Sequence, residues 1–122
     1  SSSYKGEAHA KAVETSNKII ANWEEEVRPL LQSKKVAQAK ALTLALPTTL
    51  VLDGNSEQVF KSLSEQIDSD LATRTSEMVD ELLNDIYTHQ GKLSETGKAE
   101  LDEMIKVVPD NYWLNFIKEK SK

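Results

Sequence analysis

The sequence predicts an all-α fold, an antiparallel up-and-down bundle of four to five helices, and three observations carry that prediction. Apolar residues recur at spacings of three and four through most of the 122 residues. The strongest punctuation, Asp53-Gly54-Asn55 and Gly91, falls between those stretches. The 39% of apolar residues supplies one core without the help of cysteine, of which the chain has none.

The first helix is expected over about Lys5 to Leu31. Ala8, Ala12, Ser16, Ile19, Trp23, Val27 and Leu30 form one stripe, and Lys11, Glu14, Lys18 and Glu25 lie opposite. Trp23 is the expected anchor of its core contact. Pro29 should kink this helix or begin a new turn near Arg28.

From Ser33 to Leu46 the chain is rich in good helix formers, with Ser33 as the expected N-cap. Leu42, Leu44 and Leu46 alternate, however, and Thr48 to Leu52 follows with β-branched residues, so a short hairpin is the rival for 41–52. Helix is preferred because no Asn-Gly turn joins the two halves and every neighbour reads as helical.

The long amphipathic segment from Ser56 to His89 is the clearest element. Asn55 or Ser56 is its expected cap, with Gln58 and Glu57 in the first turn. Phe60, Leu63, Ile67, Leu71, Met78, Leu82 and Ile86 recur at close to a seven-residue repeat, which favours coiled-coil-like packing. Asp68 to Ser76 is its weak link, because Asp, Ser and Thr crowd there. A break at that point would leave Thr75 or Ser76 to cap a separate helix. Gly91 should close the element. Ser94 then caps a shorter helix carrying Leu101, Met104, Ile105 and Val108, with Gly97 weakening its first turn, and Pro109 ends it. Asp110 is the expected cap of a last helix whose aromatic face is Tyr112, Trp113, Phe116 and Ile117.

Residues 1–4 read as a flexible Ser-rich tether and 5–122 as a single helical-bundle domain. Ser1-Ser2-Ser3 resembles the linker that follows the lipidated cysteine of mature bacterial lipoproteins, and a cloning remnant would look the same. A lipid anchor upstream of Ser1 and a place outside the cytoplasm, secreted or lipid-anchored, are the expectations that follow. No apolar run approaches the roughly 20 residues of a membrane span. The longest uncharged stretch, Ala41 to Leu52, is 12 residues and contains Pro47.

Charge narrows the partners. The net charge of -5 argues against nucleic acid. Residues 53–91 hold two basic against nine acidic side chains, while 1–52 hold seven against five, so the middle of the chain is the acidic surface. A basic partner would be steered to it, and solubility alone would also explain it.

Catalytic and metal constellations do not emerge from the sequence. Metal ligands reduce to His9, His89 and carboxylates, and no Glu stands three residues before either histidine. Glu81, Asp85 and His89 are spaced by four on one helical side, a set that solvent-exposed surface explains better than metal binding. Asp68 and Asp70 open like a calcium loop but lack its glycine and later ligands. Four scattered glycines make no phosphate loop, and no Gly-x-Ser-x-Gly elbow is present. The expectation is therefore a non-enzymatic protein-binding module without a cofactor or metal. Its candidate binding residues are Glu77, Asp80, Glu81 and Asp85 on the acidic helix and Tyr112, Trp113 and Phe116 near the C-terminus. Docking of the last helix onto the bundle is the ordinary reading of the rings. The alternative function is a carrier of a lipid or other apolar ligand, with Ala41 to Leu52 and the Trp113 region enclosing it.

Overall fold

The computed structural model describes the backbone of residues 2–122 and the side chains from Gly6 onward; Ser1, and with it the start of the expected tether, lies outside the described residues. Among the described residues five helices form: α1 (Ser2–Gln32), α2 (Val36–Leu44), α3 (Gly54–Thr88), α4 (Glu95–Val107) and α5 (Tyr112–Lys120). They pack as an all-helical bundle, with no strand among the described residues. The hairpin alternative for 41–52 fails for an identifiable reason. Residues 45–53 are neither strand nor the preferred helix but a loop, and α1 side chains hold two of its backbone N–H groups. Val51 N–H donates to Ser16 Oγ at 2.9 Å, and Asp53 N–H to Asn17 Oδ1 at 3.4 Å.

The bundle is built on α3, roughly 50 Å long at 1.5 Å per residue. α3 packs against each of the other four helices, α2 also meets α4, and among the described residues the α1 backbone does not approach α4 or α5. Neighbours in sequence run antiparallel. Lys40 Nζ reaches Asp68 Oδ1 at 2.7 Å, Thr75 Oγ1 lies 3.6 Å from Met104 Sδ, and Lys118 Nζ lies 3.8 Å from Asp102 Oδ1. Ile20, Trp23 and Val27 of α1, Ile67 and Met78 of α3, Met104 of α4 and Leu114 and Ile117 of α5 belong to one buried cluster.

The weak link expected at Asp68 to Ser76 is continuous helix. Its polar side chains are satisfied where they stand. Thr75, buried, donates its hydroxyl to the Leu71 carbonyl at 2.7 Å, which removes the need for water or for a break. Asp68 faces the Lys40 ammonium, and Arg74 gathers carboxylates from α3 and α4. The segment that looks weakest in isolation is the one that meets both α2 and α4. Neither Thr75 nor Ser76 caps anything.

Ala8 and Ala12, expected on the buried stripe of α1, are exposed, and burial begins at Ser16. The reason lies in the partner: α3 starts beside Asn17, whose Nδ2 donates to Asp53 Oδ2 at 3.0 Å, so the first turns of α1 extend past its neighbours. α1 runs through Pro29 and ends three residues later.

Three expected caps are also corrected. Ser33 does not cap α2. Lys34 takes the left-handed conformation, φ 61°, while Lys35 N–H donates to the Leu30 carbonyl at 2.8 Å and Lys34 N–H to that of Leu31 at 3.1 Å. This double bond pattern closes α1 as a Schellman turn with lysine where glycine is usual, and α2 then starts without a side-chain cap. Lys34→Gly should raise stability by up to about 1 kcal/mol, since it relieves the left-handed strain of a side-chain-bearing residue. Urea unfolding with an unchanged slope checks it.

Asp53, not Asn55 or Ser56, caps α3: its Oδ1 accepts from Ser56 N–H at 2.8 Å. That backbone hydrogen bond is the main cause holding the Asp53 carboxyl below its ordinary pKa. α5 is capped by Asn111, whose Oδ1 accepts from Leu114 N–H at 2.9 Å, and not by Asp110. Asn115 Nδ2 fixes this turn by donating to the carbonyls of Pro109 and Asn111.

Other punctuation stands where expected. Ser94 Oγ accepts from Gly97 N–H at 3.0 Å, and α3 ends in Gln90 and Gly91, both at positive φ. Gly97 serves packing: a Cβ there would stand 3.3 Å from Leu82 Cδ2 and 3.2 Å from Ser94 Oγ, so its bareness lets α4 approach α3 closely.

Candidate functional site

Pro109 and the Asn111 cap set the phase of α5, and phase decides which side chains face outward. Leu114 and Ile117, three apart, are fully buried against the bundle. Tyr112 and Phe116 therefore turn away from that side, and Trp113, four residues before Ile117, lies at its edge. Tyr112 is 70% exposed and Trp113 49%, while Phe116 is half-buried and rests on the core.

The three rings support one another. Tyr112 and Trp113 meet edge to face with centroids 5.3 Å apart, Trp113 and Phe116 likewise at 5.6 Å, and Tyr112 and Phe116 lie nearly parallel at 6.3 Å. The Lys120 ammonium sits 5.7 Å from the Phe116 centroid and closes the row. The result is an aromatic ridge along the outer side of α5. Docking of the helix is carried by Leu114 and Ile117, with Phe116 packed against the core beside them. Ile117, expected on the aromatic face, is inside, and Leu114 was not foreseen there.

The four acidic candidates lie along one stretch of α3 but differ in their partners. Glu81 holds Arg74 through both carboxylate oxygens, at 3.1 and 3.4 Å. Glu77 lies 3.5 Å from the same guanidinium and Glu100 of α4 3.7 Å. The Glu81 hydrogen bonds are the main cause raising the Arg74 pKa further. Asp85 faces His89, Oδ1 to Nδ1 3.2 Å, and Asp80 stands apart on the exposed side. Glu81, Asp85 and His89 thus point into two separate pairings instead of a shared site. Arg74 is the residue that sequence reasoning missed, although its spacing of three and seven to Glu77 and Glu81 was there to be read.

Two surface clefts flank the α1–α2 corner and share Lys34, Val36 and Arg74. One, of about 210 Å³, adds Lys35, Glu100 and Met104; the other, of about 320 Å³, adds Leu31, Asp70 and Glu77. Neither of these two clefts takes a side chain from 41–52 or Trp113. Leu42, Leu46, Leu50 and Leu52 pack against the core instead. No helix is long and apolar enough to cross a membrane, among the described residues.

The chain was compared with protein-family models, curated proteins and solved structures, and nothing in any of the three matches it.

Proposed function

We propose that this chain is a non-enzymatic interaction domain that binds a protein partner through the aromatic ridge of α5. One observation carries the reading: Tyr112 and Trp113 expose large rings to water in a mutually packed row, while Leu114 and Ile117 on the same helix do the docking. Exposed rings gathered in one patch mark recognition surfaces, since Trp and Tyr supply most of the energy at protein interfaces. Trp113, Phe116 and Lys120 stand at i, i+3 and i+7, the spacing by which a helix enters a partner's groove.

The acidic face is the lesser candidate, because Glu77 and Glu81 are turned onto Arg74.

The test compares two variants in partner capture. Tyr112→Ala with Trp113→Ala should keep the helical content and lose about 2 kcal/mol of stability or less, because Tyr112 is mostly exposed and Trp113 about half. The same pair should weaken binding by roughly 30-fold or more, as a hot spot worth about 2 kcal/mol would. Charge reversal at Glu77, Asp80, Glu81 and Asp85 should matter less. Undiminished capture by the ring variant removes the proposal, and loss confined to the charge-reversed variant transfers the site to α3.

A further inference from the structure

We draw no further inference here: the strongest candidate, the charged cleft where the uncapped N-terminus of α2 meets Lys34, Lys35 and Arg74, rests on a helix N-terminus alone, because Arg74 is already held by Glu77, Glu81 and Glu100 and no unpartnered buried side chain in the cleft points to a ligand.

Discussion

Trp23→Ala should cost about 3–5 kcal/mol of stability, the range for a large aromatic side chain removed from a core. Trp23 is 3% exposed and joins three helices. Its ring meets Phe60 of α3 at 5.3 Å, and its indole N–H donates to Thr43 Oγ1 of α2 at 3.1 Å. Thr43 in turn donates to the Ala39 carbonyl at 2.9 Å, so the indole closes a chain of hydrogen bonds that begins on the α2 backbone. Truncation opens a cavity where α1, α2 and α3 converge. Trp23→Phe should be milder, since most of the volume stays and Thr43 keeps its bond to Ala39. Urea unfolding followed by circular dichroism measures both, and a loss below about 1 kcal/mol for Trp23→Ala would show that the three helices do not depend on this contact.

Thr73→Pro should be nearly as damaging, at about 3 kcal/mol or more. Thr73 is exposed in the middle of α3, so the substitution changes no core packing. It removes the N–H that bonds to the carbonyl four residues earlier and drives the proline ring against that carbonyl. If the chain broke between Asp68 and Ser76 and Thr75 or Ser76 capped a second helix, residue 73 would lie in the connecting turn, where proline costs little. Thr73→Ala separates the two cases, because it should be neutral or slightly stabilising in a continuous helix. Equal tolerance of both substitutions would place a corner in α3.

Residue spacing made the helices legible, since each element buries a stripe that recurs every three or four positions. It carried no information about where a neighbour ends. Ala8 and Ala12 continue the stripe of α1 perfectly well and face water because α3 starts only at Gly54. Propensity misjudged Asp68 to Ser76 for a related reason: Lys40, Met104 and Glu100, which satisfy or cover its polar side chains, come from α2 and α4. Caps missed by one or two positions where a tertiary contact selected the residue, as Asn17 does for Asp53.

The candidate site was legible in its residues but not in its geometry. Tyr112, Trp113 and Phe116 stood out by clustering, yet nothing local distinguished rings that dock the helix from rings that leave it. The choice fell to Leu114 and Ile117, which fill the interior of the bundle. The acidic stretch of α3 was legible as an exposed run of carboxylates, but not its partner: Arg74 pairs with Glu77 and Glu81 and with Glu100 of α4.

Separating a built recognition ridge from merely exposed apolar side chains needs one comparison. A photo-crosslinking amino acid is placed in turn at Trp113, Tyr87 and Leu44 of the full chain in cells that express it natively. Tyr87 is 89% exposed and Leu44 59%, both more open than Trp113 at 49%, so exposure alone would favour the controls. A discrete partner adduct at position 113, with little at 87 or 44, is the expected outcome. Equal adducts at all three positions, or none at 113, would contradict a binding surface on α5.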